Sequence, residues 1–264
     1  MTIISGISLN NALGFSFDGV HSSTYDIYLA KSPFNLLPDL INYFETIPGK
    51  PGLLDYGSDY KQRDIILDCM VLAKNEQDLK RKSREIAAWL DPAKGLKRLI
   101  LDTEPNKFYL ARVTKGILVE QIAKQGRFEV TMTAPDPYAY ALDDEIYTYT
   151  KTGSYNFERN GTAISYPKIE IKGTNTKDKG KISITLNNKT IGYKGDLESA
   201  ETLVIDSDML TAYRIVNGQK VSAINDIESV DFPITRPGQN DVTIAMEGEA
   251  VITEVKIYSR TRWI

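Results

Sequence analysis

His21 is the only imidazole in the chain, so a Ser-His-Asp triad or a Cys-His pair has a single candidate base, and a multi-histidine zinc site is excluded. Ser22 and Ser23 follow it in a turn-like stretch, which predicts a solvated loop histidine. Cys69 is the only thiol; an intramolecular disulfide and a cysteine-cluster metal site are therefore out of reach. It lies in the apolar, strand-like run 65–72 and reads as a buried small hydrophobe.

The carboxylates offer little more. Asp206-Ser207-Asp208 presents two oxygen ligands, but calcium or magnesium takes several converging carboxylates or carbonyls, and the segment reads as the turn after strand 203–205. Asp143-Asp144-Glu145 has the residue types of a glycosidase acid pair without apolar neighbours to raise one pKa, and reads as a solvated acidic linker. Lys80-Arg81-Lys82 with Arg84 reads as a solvated helix face. Asn160-Gly161-Thr162 and Asn188-Lys189-Thr190 read as turns rather than glycosylation sites. The chain contains no phosphate-binding glycine loop, dinucleotide fingerprint, His-Glu-x-x-His helix or Gly-x-Ser-x-Gly elbow. Nothing here points to an enzyme or to a bound cofactor.

The elements that must position these residues are mostly strands. With 264 residues and 42% apolar content the chain can bury a real core. A formal charge of -3 gives no support to nucleic-acid binding, which needs clustered positive charge. Splitting after Tyr140 gives 17 basic and 17 acidic residues in the first part, 15 and 18 in the second. No apolar run approaches the ~20 residues that span a bilayer, and the first residues lack the pattern of a secretory signal.

In the first part, Gly14-Phe15-Ser16-Phe17-Asp18-Gly19 and Tyr25-Asp26-Ile27-Tyr28-Leu29 alternate with the period of a strand. Ile47-Pro48-Gly49-Lys50-Pro51-Gly52 is a rigid, turn-rich loop. Residues 65–72 are apolar at nearly every position, which predicts an interior strand apolar on both faces. Residues 75–90 predict a helix, capped by Asn75 with Asp78 three positions on, and carrying Leu79, Ile86, Trp89 and Leu90 on one face; Asp91-Pro92 ends it. Strands follow at 99–101, 108–113 and 128–132 before Pro135 and Pro137. The second part is nearly all strand, with 168–172, 182–186, 212–216, 219–222, 242–246 and 255–258, and Asn217-Gly218 is a type I′ hairpin signal. Short strands, frequent turns and no credible helix predict a β-sandwich there.

The order of these segments resembles the distal tail protein family of long-tailed phages along essentially the whole chain. The resemblance rests on Phe15-Ser16-Phe17-Asp18-Gly19, the 47–57 loop with Tyr60 and Arg63 after it, Arg84-Glu85-Ile86-Ala87-Ala88-Trp89-Leu90, Tyr109-Leu110-Ala111-Arg112-Val113, Gly126-Arg127-Phe128 and Asp136-Pro137-Tyr138-Ala139-Tyr140. Farther on it rests on Asn160-Gly161-Thr162-Ala163, Tyr166-Pro167-Lys168-Ile169-Glu170-Ile171, Pro237-Gly238-Gln239-Asn240 and Arg262-Trp263-Ile264.

The resemblance implies a mainly β protein of two domains. One is an α+β N-terminal domain (1–140), a β-sandwich with one helix and a β-hairpin, which forms a ring; the other is a galectin-like antiparallel β-sandwich (141–264). It further implies a homo-hexamer at the virion tail tip with a central channel for DNA. Its neighbours would be the tail tube protein, a tail-associated lysin or hub protein, and receptor-binding or other baseplate proteins. No membrane or sequence-specific nucleic acid is expected, and synthesis is expected in the host cytoplasm. Ring or tube contacts are expected at Pro48, Gly49, Leu53, Leu54, Arg84 and Arg112, because a Pro/Gly-rich loop bearing two leucines has apolar surface to hide. The C-terminal part has no histidine, and its one tryptophan, Trp263, is expected to dock into the sandwich rather than stack on a sugar. A carbohydrate-binding module contacting the host surface is the alternative function.

Overall fold

The structure, a computed structural model, describes residues 3–4, 7–8, 13–31, 33, 36–122, 125–229 and 231–264. It divides into two compact units, Met1–Leu142 together with Ile264, and Asp143–Trp263.

The first unit contains β1 (Ile3–Ile4), β2 (Ile7–Ser8), β3 (Phe15–Phe17), β4 (Val20–His21), β5 (Ile27–Leu29), β6 (Leu40–Glu45), β7 (Leu54–Tyr60), β8 (Arg63–Leu72), α1 (Glu76–Trp89), β9 (Lys97–Leu101), β10 (Lys107–Val113), β11 (Glu120–Ile122), β12 (Gln125–Ala134) and β13 (Ala139–Ala141). Its main sheet runs β4-β3-β9-β10-β12-β8-β5, with β11 against β12 and β13 against β10. β10 is shared: Tyr109, Leu110 and Ala111 pair with β9, whereas Arg112 and Val113 pair with β12. The sheet thereby folds round a single core, with Phe15, Phe17 and Leu99 from one end and Leu67, Val71 and Val130 from the other.

β8 corrects one expectation. Ile65, Leu67, Cys69 and Val71 are buried, but Asp64, Ile66, Asp68 and Met70 alternate with them and Ile66 is exposed. The strand is interior to the sheet, between β12 and β5, while only one of its faces meets the core.

α1 closes that core. Asn75 accepts the Asp78 N–H at 2.9 Å, and Asp78 reaches back to accept the Lys74 N–H at 3.0 Å, a reciprocal cap. That backbone bond, then Arg81, lowers the Asp78 pKa to about 2. Leu79, Ile86 and Trp89 are buried, as their spacing predicts. Trp89 stacks on Phe15 and Tyr25 and donates its indole N–H to the Phe17 carbonyl at 3.0 Å.

The second unit contains β14 (Ile146–Tyr149), β15 (Gly153–Arg159), β16 (Lys168–Thr174), β17 (Gly180–Leu186), β18 (Lys189–Tyr193), β19 (Thr202–Asp206), β20 (Thr211–Val216), β21 (Gln219–Ser222), β22 (Gly238–Gly248), β23 (Val251–Tyr258) and β24 (Arg262–Trp263). Two antiparallel sheets, β14-β23-β16-β19-β20-β21 and β15-β22-β17-β18, enclose a second core. Ile169, Ile171, Leu203 and Ile257 come from one sheet; Ile182, Ile184, Val242 and Ile244 come from the other. Asn217 and Gly218 have φ of 50° and 79°, as a type I′ turn between β20 and β21 requires.

Two further expectations are corrected here. Asp144 and Glu145 are not a solvated linker. Asp144 accepts the Arg260 N–H at 2.8 Å, the Thr261 N–H at 3.0 Å and the Ser259 hydroxyl at 3.1 Å. Glu145 accepts from Asn160, Tyr147 and Thr261. The two carboxylates stitch the start of the unit to its last strands, because backbone donors leaving β23 need acceptors and these supply them. In β24 the buried side chain is Arg262, whose Nε donates to the Ile164 carbonyl at 2.6 Å; Trp263 is half-buried and outside the core cluster.

Candidate functional site

β6 and β7 hydrogen-bond only to each other among the described residues, forming a two-stranded arm outside the main sheet. An isolated hairpin in water is marginal, because it has no layer to bury its side chains against. This one is nonetheless rich in residues that want burial.

The register gives the faces. Leu40 lies opposite Tyr60 and Phe44 opposite Asp55, with the register shifting between them. The extra residue is on β7, where Gly57 takes φ of 95° and donates its N–H to Asp55 at 2.8 Å; a side chain would be strained at that φ. Cross-strand partners share a face. One face thus carries Leu40, Phe44 and Tyr60, and the other Ile41, Tyr43, Leu54 and Tyr56. Tyr43 donates to Asp59 at 3.0 Å and Tyr56 to Glu45 at 2.9 Å, so two rings are pinned while their faces stay open. The hydrogen bond and charge of Asp59 raise the Tyr43 pKa, which keeps that hydroxyl a donor across the neutral range. Phe44 is 52% exposed, Leu53 58% and Tyr56 64%.

The loop joining the strands is the expected turn-rich segment, with Gly49 at φ of 81° and Gly52 at 89°. Pro48, Gly49 and Leu53 are exposed at the tip of the arm, and Leu54, half-buried, begins β7. Arg84 and Arg112 are elsewhere. Arg84 is exposed on α1, and Arg112 is exposed on β10 opposite Thr133 of β12. No hydrogen bond or ion pair among the described residues joins either arginine to the arm. The basic stretch of α1 is largely engaged: Lys80 pairs with Glu76, Arg81 with Asp78 and Glu85, and Lys82 with Asp26.

Leu40, Ile41, Tyr43 and Phe44 were not singled out from the sequence, and Tyr56 and Tyr60 entered only among the residues that carry the resemblance. The signal was the run Leu40-Ile41-Asn42-Tyr43-Phe44, β-prone and ending just before a Pro-Gly turn, as the first strand of a hairpin should.

The chemistry-bearing residues are accounted for locally. Asp206 accepts the N–H groups of Asp208 and Met209 and pairs through both oxygens with Arg260, at 2.7 and 2.8 Å, so it serves the expected turn. Among the described residues no group of three His, Cys, Asp or Glu is placed to hold a metal ion. His21 corrects half of its expectation: its side chain is solvated, at 39% exposed, but it sits in β4 rather than a loop, with its ring bonded to Ser23 and Asp102.

Residues 21–134 match the family model described as the phage tail protein RIFT-related domain, and residues 160–263 match that of the siphovirus-type tail component, C-terminal domain. The chain belongs to the siphovirus distal tail protein family. Among solved structures this distal tail protein resembles SPP1 Dit, described as a paradigm of the hub adsorption apparatus in phages infecting Gram-positive hosts. The TM-score is 0.77 at 14% identity, covering 96% of this chain and 100% of that one. It also resembles chains of the phage p2 baseplate in its activated conformation. With strontium the TM-score is 0.50 at 10% identity over 94% and 98% of the two chains; with calcium it is 0.51 at 10% over 96% and 99%. At such identities these likenesses establish the fold. No curated protein matches the chain. The distal tail protein is a structural, non-enzymatic component of the phage tail tip or baseplate hub, mainly β with one helix and two domains.

Proposed function

We propose that the chain assembles as a hexameric ring that joins the tail tube to the tail-tip proteins and leaves a central channel for DNA. The observation that carries this reading is the arm formed by β6 and β7. Apolar side chains on both faces of a two-stranded ribbon are stable in water only when both faces are covered, and the unit's own core takes up neither. A projecting element that fits a different surface on the next subunit gives a heterologous contact, and such contacts close into a ring when the rotation is right.

In this reading Pro48, Gly49, Leu53 and Leu54 are the tip of the contact, and Leu40, Phe44 and Tyr56 extend it along the strands. Arg84 and Arg112 are exposed on α1 and β10, other elements of the same unit, where tube or hub proteins would dock. The equal basic and acidic counts of residues 1–140 agree with a channel that lets DNA slide, since a strongly basic lumen would retain it. The tail tube protein, a tail-associated lysin or hub protein, and receptor-binding or other baseplate proteins are the proposed neighbours.

Gold-labelled antibody against this chain, imaged on intact virions, tests the placement. Label confined to the tail tip is the expected result, and label distributed along the tube would overturn it. Specific, saturable binding of the protein to host cell-wall glycan, without any ring in solution, would favour the carbohydrate-binding alternative.

A further inference from the structure

The sole histidine lies in a hydrogen-bonded line of three side chains drawn from segments 81 residues apart. Ser23 Oγ is 2.7 Å from His21 Nδ1, and His21 Nε2 is 3.1 Å from Asp102 Oδ1. The other Asp102 oxygen accepts the Gly14 N–H at 2.7 Å, while the Asp102 N–H donates to the Gly14 carbonyl at 3.2 Å; this double link fixes the carboxylate.

The tautomer follows from the backbone. Ser23 donates its own N–H to Nδ1 at 3.2 Å, so that nitrogen carries the lone pair and the ring proton resides on Nε2, shared with Asp102. The Ser23 hydroxyl is then a second and shorter donor to the same lone pair, which it shares with its own backbone N–H, on a ring held from the far side by a carboxylate. That is the arrangement of nucleophile, base and orienting group by which a serine hydroxyl is activated.

Two neighbours sharpen the site. Ser22 is fully buried and its hydroxyl accepts the Phe15 N–H at 3.2 Å, whereas Ser23 is exposed and can be reached from solvent. A Cβ at Gly14 would stand 2.7 Å from Ser22 Oγ and 2.9 Å from His21 Cε1, so the imidazole rests on backbone that only glycine leaves open. An ordinary turn-capping side chain needs no such seat and no distant carboxylate.

We propose that Ser23 is a primed nucleophile and a site of covalent acylation by activated carboxylic esters, with His21 as its base and Asp102 as the positioning residue. Ser23 Oγ attacks the ester carbonyl carbon as its proton passes to His21 Nδ1. The bond to the leaving alcohol breaks, and the alcohol departs with the proton returned from Nδ1. Ser23 is left as an ester and His21 returns to its neutral form.

The full chain, incubated with 4-nitrophenyl acetate and separately with a fluorophosphonate, is read by intact mass and peptide mapping. The expected result is one adduct on Ser23, lost in Ser23→Ala and formed ~100-fold more slowly in His21→Gln, the usual worth of a positioned base. Labelling of Ser23 no faster than of the exposed serines Ser58 and Ser199 in the wild-type map would overturn the proposal, whatever the variants do. So would equal Ser23 labelling in a folded His21→Gln protein, which would leave His21 a turn cap only.

Discussion

Replacing Phe44 and Leu53 together by serine should dismantle the ring while leaving the subunit folded. Both side chains are more than half exposed in the isolated chain, at 52% and 58%, so each presents on the order of 100 Å² of apolar surface for a neighbour to cover. At ~25 cal/mol per Å² each truncation removes ~2.5 kcal/mol, and the pair ~5 kcal/mol, from every arm contact. Since ~1.4 kcal/mol is tenfold in affinity, each contact weakens more than ~1000-fold. The fold gives up little, because neither residue packs in a core and serine opposite Asp55 creates no like-charge pair. Substitutions of that kind change stability by ~0.5 kcal/mol or less. Light scattering on a dilution series, with thermal melts on the same samples, reads both quantities. Ring mass persisting in the variant down to the lowest concentration would refute the arm as the contact. Loss of the ring together with a large drop in melting temperature would place the effect in folding instead.

Asp206→Asn removes the anionic partner of Arg260 and should destabilise the C-terminal unit by ~2–3 kcal/mol in chemical denaturation, somewhat below a fully buried pair because Arg260 is partly exposed. Burial opposes ionisation of Asp206, but Arg260 and the N–H groups of Met209 and Asp208 outweigh it and hold its pKa below the ordinary 3.8. The stability from this shift is in place above that value and is lost as pH falls through the lowered one. The gap between wild type and variant should therefore close below about pH 4, and a constant gap would contradict the linkage. Burial, then the charge of Asp68, pushes the Cys69 thiol up to about 12, so disulfide reagent at pH 8 should label the native protein far more slowly than the denatured one; rapid native labelling would show that β8 opens. Trp89→Phe keeps the stacking on Phe15 and Tyr25 but loses the bond to the Phe17 carbonyl, and should cost ~1–3 kcal/mol in urea unfolding; a neutral result would mean that water replaces the indole.

The elements whose signals are local were legible from the residues alone. α1 declared itself through Asn75, Asp78 and the spacing of Leu79, Ile86 and Trp89, and the β20–β21 hairpin through Asn217-Gly218, because caps and tight turns depend on a few adjacent residues. Nonlocal relations were not legible. Asp144 and Glu145 look like a linker until Ser259, Arg260 and Thr261 are brought beside them, and His21 looks like a lone loop side chain until Asp102 arrives from the end of β9. β8 misled for a different reason: Ile66 and Met70 are apolar on an outer face, so residue type alone overstated its burial. The arm was half visible, since proline and glycine mark its turn, whereas the exposure of Phe44 and Tyr56 becomes apparent only when no second layer is found to cover them.

The most direct test of the account is the mass of the purified wild-type chain by size exclusion with light scattering, followed by negative-stain imaging of the peak. The mass of a hexamer and six-fold rings with an open centre are the expected result. A monomer that persists at high concentration, even when mixed with the tail tube protein, would contradict it.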